Sequence, residues 1–191
     1  DKEIKILEIG SFSGASAAAF AKYFTKSEIY CFDINISNFI YSSKKIKVFC
    51  LDINNKKSLK NTFEILKVKE SQQFFDIIID DGSHVNDHVI FSFKYLFPIL
   101  DDNGLYIIED TQTSYWNHAG GTSENFNSKS TIMGFFKSLV DGLNYEELEI
   151  ENYEANYYER NIVSIHFYHN LIFIQKGLNN EGSNLVVNGK I

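Results

Sequence analysis

The chain has 191 residues, enough for one good-sized domain and too few for two. Lys and Arg total 18 against 25 Asp and Glu, a net charge of −7, and Arg160 is the single arginine, which argues against a nucleic-acid partner. The longest largely apolar stretch, Val89 to Leu100, is short and carries Lys94, so it does not span a membrane, and no secretory signal opens the chain.

In chain order, short apolar runs alternate with helix-length amphipathic stretches, the pattern of crossover units around a parallel sheet. Lys5 to Ile9 reads as a first strand and Gly14 to Phe24 as an alanine-rich helix. Glu28 to Ile34 and Ile46 to Leu51 read as the second and third strands, followed by a polar helix near Lys56 to Lys69. Cys31 and Cys50 lie in these apolar runs. Both are expected to be buried, reduced thiols, which suits a cytoplasmic protein. Phe74 to Ile79 is apolar at almost every position, as a mid-sheet strand covered on both faces would be. Val85 to Leu100 reads as a helix, Asp101 to Gly104 as a turn and Leu105 to Ile108 as a further strand. The polar stretch from Asp110 to Ser130, with Gly120-Gly121, reads as a long loop over the active face. Thr131 to Leu143 returns to helical spacing. Ile162 to Tyr168 and Leu171 to Gln175 flank His169-Asn170 as an antiparallel hairpin. No repeat or linker interrupts this order, so residues 1–191 are expected to form a single domain. Without an initiator Met, and with a strand starting close to Asp1, the sequence reads as part of something longer.

The turn after the first strand reads Glu8-Ile9-Gly10-Ser11-Phe12-Ser13-Gly14. A dinucleotide fingerprint needs glycine where this chain has Phe12, so that backbone can approach a pyrophosphate. The remaining G-x-x-x-G spacing suits a nucleoside ligand without a diphosphate and opposes a nicotinamide oxidoreductase. Asp33, at the end of the second strand, is placed to accept both hydroxyls of a ribose, and Asp52 ends the third strand near where an adenine would lie. Each of these acids also serves as a cap or turn residue in many folds; their register with the glycine turn favours the ligand reading.

Three carboxylates, Asp81, Glu109 and Asp110, fall at the ends of adjacent central strands, at the carboxyl edge where open α/β sheets bind ligands. Convergent carboxylates repel unless one is protonated or a cation sits among them, and oxygen ligands with open positions favour Mg²⁺. Solvated acids and helix caps are the plainer alternative. Asp80 either faces the cofactor or caps the next helix. The sequence lacks a D/N-P-P-Y/F signature, since Pro98 is its only proline, and neither cysteine follows a proline. Both absences argue against enzymes that act on nucleic-acid bases.

These motifs resemble the class I S-adenosylmethionine-dependent methyltransferases, in which E/D-x-G-x-x-x-G follows the first strand and an acid ends the second. Asp80-Asp81-Gly82-Ser83-His84 and Ile108-Glu109-Asp110-Thr111-Gln112-Thr113-Ser114-Tyr115-Trp116 are similar to the macrocin and mycinamicin sugar O-methyltransferases. Ser164 to Asn170 and Gln175-Lys176-Gly177 continue that likeness. The resemblance implies a Rossmann-like, doubly wound seven-stranded sheet, mostly parallel, ending in an antiparallel hairpin. It implies S-adenosylmethionine bound around Glu8, Gly10, Ser11, Ser13, Gly14, Asp33, Asp52 and Asp80. It further implies Mg²⁺ on Asp81, Glu109 and Asp110, and His84 as the base that takes a proton from a sugar or glycoside hydroxyl. A phenolic or phosphoryl-linked oxygen is the closest alternative acceptor, and a non-catalytic module keeping the nucleoside pocket is the alternative of another class. His88, one helical turn beyond His84, reads as a helix-face residue within reach of substrate. Tyr115, Trp116 and His118 read either as an aromatic wall for a sugar ring or as core, and His166 and His169 as packing and turn residues. The resemblance also implies further N-terminal structure in family members, and a homo-oligomer is compatible with a sequence that neither specifies nor forbids one.

Overall fold

The computed structural model describes residues 2–69 and 72–185. Its strands are β1 (Ile4–Ile9), β2 (Ser27–Asp33), β3 (Ile46–Cys50), β4 (Phe75–Asp80), β5 (Leu100–Glu109), β6 (Ile162–Tyr168) and β7 (Leu171–Lys176). They form one seven-stranded sheet in the order β3-β2-β1-β4-β5-β7-β6. Neighbours from β3 to β5 pair parallel, whereas β7 runs antiparallel to both β5 and β6. This is the doubly wound sheet with a closing hairpin that the sequence predicts, with β4 at its centre. The strand order reverses between β1 and β4, which opens a crevice at their carboxyl ends.

Alternation along each strand sends its side chains to two different layers. Leu7, Ile9, Tyr30, Phe32, Ile78 and Tyr106 pack on one face with α2 (Lys56–Leu66), α3 (Asn86–Leu96) and α4 (Ile132–Lys137). Phe93 of α3 is the hub there, in ring contact with Phe97, Tyr106, Phe136 and Tyr158 at centroid separations of 4.9, 5.1, 4.9 and 5.5 Å. Truncating it to Ala is expected to cost about 3–5 kcal/mol. On the other face Ile6, Ile29, Cys31 and Ile79 pack against Ala17 of α1 (Ala15–Tyr23). Glu8 belongs to this thinner layer by the same alternation, and Asp80 to the thicker one.

Five expectations need correction. The segment 101–104 is not a turn before a short strand but a bulge inside β5, because Phe75 pairs with Leu100 while Ile77 pairs with Leu105. Lys2 clamps it, donating to Asp76 at 2.6 Å and to Asp101 at 2.7 Å. α3 ends at Leu96, and Pro98 starts a separate 3₁₀ turn, since proline removes the amide that would continue the helix. α4 stops at Lys137, where the hydrogen bonds tighten from i,i+4 to i,i+3 and lead into the 3₁₀ segment Asp141–Glu147. The short helix α5 (Tyr157–Asn161) was not foreseen, although Asn156 and Glu159 form a complete capping box. Finally, Cys31 is buried but Cys50 is exposed, because it ends the edge strand β3.

Candidate active site

The crevice is built by two turns that press against each other. After β1 the backbone is left-handed at Gly10, Phe12 and Gly14, with φ of 83, 42 and 82°. Asp81 donates its N–H to the carbonyl of Ile9 at 3.0 Å, which carries the turn after β4 alongside the turn after β1. Gly14 is favoured first by its φ of 82°, and a Cβ there would also lie 2.4 Å from the ring of Phe39.

Asp33 ties the second strand to the same turn. Its Oδ2 accepts the N–H of Phe12 and its Oδ1 that of Asn35, both at 2.8 Å. The turn's amide is therefore directed at the protein's own carboxylate, where a dinucleotide turn would offer it to phosphate. A cavity of about 530 Å³ opens beside it, lined among others by Gly10, Phe12, Asp33, Ile34, Asp52, Asn54, Asp81, His84 and His88. A larger cavity of about 790 Å³ lies between α2 and α3, but among its lining residues Glu64 is the only carboxylate and there is no histidine. The smaller cavity is therefore the one equipped for chemistry.

Asp81, His84 and Asp110 converge at its mouth. Each offers a ligand atom within 4.8 Å of the others, and among the described residues this is the group so placed. His84 Nε2 lies 3.8 Å from Asp81 Oδ1 and 3.5 Å from Asp110 Oδ2. Its Nδ1 is turned inward and has no partner. His84 and Asp110 both hold left-handed backbone, with φ of 54 and 53°, a conformation that costs energy and so marks a site where placement matters. Glu109 falls outside the 4.8 Å group, but burial and then the nearby charges of Asp81 and Asp110 raise its carboxyl pKa. Burial raises Asp81 as well, with Asp110 adding to the effect and His84 opposing it. Carboxylates brought this close repel one another, and a cation held among them would offset that repulsion. The solvent-accessible carboxylate oxygens fit a hard divalent cation such as Mg²⁺, for which the adjacent imidazole is a poor ligand.

The other expected residues are distributed differently. Asp52 lies past the end of β3, lines the cavity and accepts the N–H of Asn54, so it is also the turn residue of the plainer reading. Glu8 is 2% exposed, its pKa raised chiefly by burial, and Oε2 has no hydrogen-bond partner. Ser11 is buried beside it, whereas Ser13 uses its carbonyl to hold Ile40. Asp80 faces neither the cavity nor a helix cap. It is buried on the α3 side of the sheet and hydrogen-bonded to Ser92, with burial lifting its pKa to about 6. Its place among cofactor-contacting side chains is therefore withdrawn. His88 pairs with Ser83 Oγ at 2.9 Å in the cavity wall. Trp116 stacks on His118 and Tyr115 meets Phe126 edge-on, both pairs outside that wall. His166 and His169 are exposed on the hairpin.

Sequence reasoning missed Asn86. Its buried amide donates to the carbonyls of Thr113 and Ala119 and accepts the N–H of Ile132, so one side chain fixes the loop after β5 to α3 and α4. Nothing but its position just after Asp80-Asp81-Gly82-Ser83-His84 pointed to it.

Residues 7–111, more than half of the chain, match a family model described as a methyltransferase domain. The chain belongs to this methyltransferase family. Over 191 aligned residues it is 37% identical to mycinamicin VI 2''-O-methyltransferase of Micromonospora griseorubida, covering 95% of this chain and 46% of that protein. It is 38% identical to demethylmacrocin O-methyltransferase of Streptomyces fradiae, with the same shares of 95% and 46%. The structure of the MycE methyltransferase from the mycinamycin pathway, in complex with Mg and SAH, superposes with a TM-score of 0.82 at 35% identity, over 95% of this chain and 47% of that one. The methyltransferase chain thus spans about half the length of these relatives. Its sheet is the class I methyltransferase fold. No helix among the described residues is long and apolar enough to cross a membrane.

Proposed function

We propose that this domain transfers the methyl group of S-adenosylmethionine to a hydroxyl of a sugar, in a glycoside or glycan precursor, with Mg²⁺ as the required cation. The observation that carries the reading is the convergence of Asp81, His84 and Asp110 beside a nucleoside-sized cavity. The relatives named mycinamicin VI 2''-O-methyltransferase and demethylmacrocin O-methyltransferase, and the Mg and SAH in MycE, support it. In this reading Asp33 accepts the ribose hydroxyls with the lone pairs that Phe12 and Asn35 leave free, and Gly10 lets the turn beside the cofactor pack directly on the loop that carries Asp81. Asp81, Asp110 and Glu109 hold the cation, which when bound lowers the pKa of an acceptor hydroxyl and fixes its approach. His84 takes the proton at Nε2, the edge that faces the two carboxylates. Tyr115 and Trp116 stand on the loop that Asn86 anchors and form the acceptor's side of the entrance. We place the reaction in the cytoplasm, which suits the free thiols Cys31 and Cys50. Methyl transfer from labelled S-adenosylmethionine to a panel of glycosides, phenols and phosphorylated acceptors, with and without chelator, tests the proposal. Mg²⁺-dependent labelling of glycosides is expected; labelling of phenols alone would move the acceptor to the alternative class, and no labelling of any acceptor would favour a binding module.

A further inference from the structure

The left-handed backbone at positions 10 and 14 is occupied by glycine for reasons visible in the packing, but at position 12 it carries a phenylalanine. Left-handed conformation costs an ordinary residue about 1–2 kcal/mol, and for a bulky side chain it is unusual. The Phe12 ring is 65% exposed, so the ligand-free fold recovers little of this by burying it. Its N–H bond to Asp33 does not explain the side chain either, since glycine would supply the same donor. Glycine would relieve the strain and keep the same donor, so neither burial nor hydrogen bonding within the fold accounts for the ring. Phe12 is among the residues lining the nucleoside-sized cavity, as are Asp33, whose carboxylate accepts its N–H, and Ile34.

Resting on the cofactor reading above, we propose that Phe12 is a cofactor-covering and specificity-determining residue: its ring lies against the adenosyl nucleoside held by Asp33 and fills the approach a pyrophosphate would need. A flat aromatic face next to a ribose and purine excludes water and adds contact area without a directional bond. The same ring stands where dinucleotide-binding turns keep a glycine so that phosphate reaches the N-terminus of the helix. One side chain thereby favours a nucleoside thioether or sulfonium and disfavours a nucleoside diphosphate.

The test uses Phe12→Gly, Phe12→Ala and Phe12→Tyr, with S-adenosylhomocysteine affinity read by calorimetry and the melting temperature of the ligand-free protein read separately. Phe12→Gly should weaken S-adenosylhomocysteine binding about tenfold while raising the ligand-free melting temperature by about 2–4 °C, because the backbone strain is relieved. Phe12→Ala should lose the affinity without gaining stability, and Phe12→Tyr should bind as the parent does. A ring that merely supports the fold would instead lower the melting temperature in both Gly and Ala variants, which overturns the proposal. Parent-like affinity in those two variants overturns it as well, leaving the cofactor reading intact. If the parent itself takes up no S-adenosylhomocysteine, the cofactor reading falls and this inference falls with it.

Discussion

Gly10 faces the carbonyl of Asp81 so closely that a Cβ at residue 10 would lie 2.1 Å from that oxygen and 2.7 Å from the Cα of Gly82. The turn that frames the cofactor cavity and the loop that carries Asp81 and His84 are therefore one packed unit. Gly10→Ala adds a clash to a backbone already at φ 83°. It should cost about 2 kcal/mol or more in urea unfolding and abolish S-adenosylhomocysteine binding in whatever fraction stays folded. A variant that binds normally would show that the two turns separate at little cost.

Asp80 gives the stability a pH signature. Burial raises its carboxyl from the ordinary 3.8 to about 6 in the folded protein, with the Ser92 hydroxyl opposing the shift. Between those two values the folded state keeps a proton that the unfolded chain has released. This group's contribution to stability is therefore greatest below about pH 4 and declines as pH rises through about 6. A difference of about two units corresponds to about 3 kcal/mol. In the metal-free protein, the stability of Asp80→Asn relative to the parent should rise by up to that amount from acid to neutral pH. Parallel urea-unfolding profiles for the two proteins would contradict it.

Asp80 also marks where sequence reading stops. The strands, their parallel order and the closing hairpin were legible, because a buried parallel strand such as Phe75–Asp80 is a continuous apolar run and a helix such as Ala15–Tyr23 has its own composition. The sequence gathers Asp81, Glu109 and Asp110 at the strand ends with His84 nearby, whereas the structure groups Asp81, His84 and Asp110 and leaves Glu109 outside, a difference of side-chain direction that strand ends do not specify. What covers Asp80 was not legible, because strand alternation gives its face but not that Ser92 of α3, 12 residues away, meets it there. The bulge at 101–104 escaped because it consists of turn-forming residues, and only Lys2, distant in sequence, shows that the strand continues through them. Asn86 escaped because its three partners lie 27 to 46 residues away.

The raised pKa values of Asp81 and Glu109, caused first by burial and then by neighbouring carboxylates, make cation binding proton-linked. A cation stabilises the charged carboxylates, so Mg²⁺ uptake should release protons, and affinity should fall as pH drops and those groups protonate. Calorimetry in two buffers of different ionisation enthalpy measures the release. Asp110→Asn should weaken Mg²⁺ binding without unfolding the protein, because residue 110 is half exposed and asparagine tolerates its left-handed φ of 53°. Proton-neutral binding, or an unchanged affinity in Asp110→Asn, would remove these carboxylates from the cation site.

His84 stands close enough to Asp81 and Asp110 to be either a cation ligand or the base, and the two roles separate on measurement. The backbone at His84 has a φ of 54°, so the informative substitution is Asn, which accepts that conformation and removes the imidazole. If His84 is the base, His84→Asn should lose about 10²–10⁴ in kcat while S-adenosylhomocysteine and Mg²⁺ affinities stay near the parent's. A cation ligand would instead show its loss first in Mg²⁺ affinity, with activity recovered at high Mg²⁺. His88→Asn should leave kcat within severalfold of the parent, since His88 lies in the cavity wall paired with Ser83 rather than against the carboxylates. A His84→Asn enzyme with the parent's kcat would assign proton removal to another group and leave His84 as the residue that shapes the loop between β4 and α3.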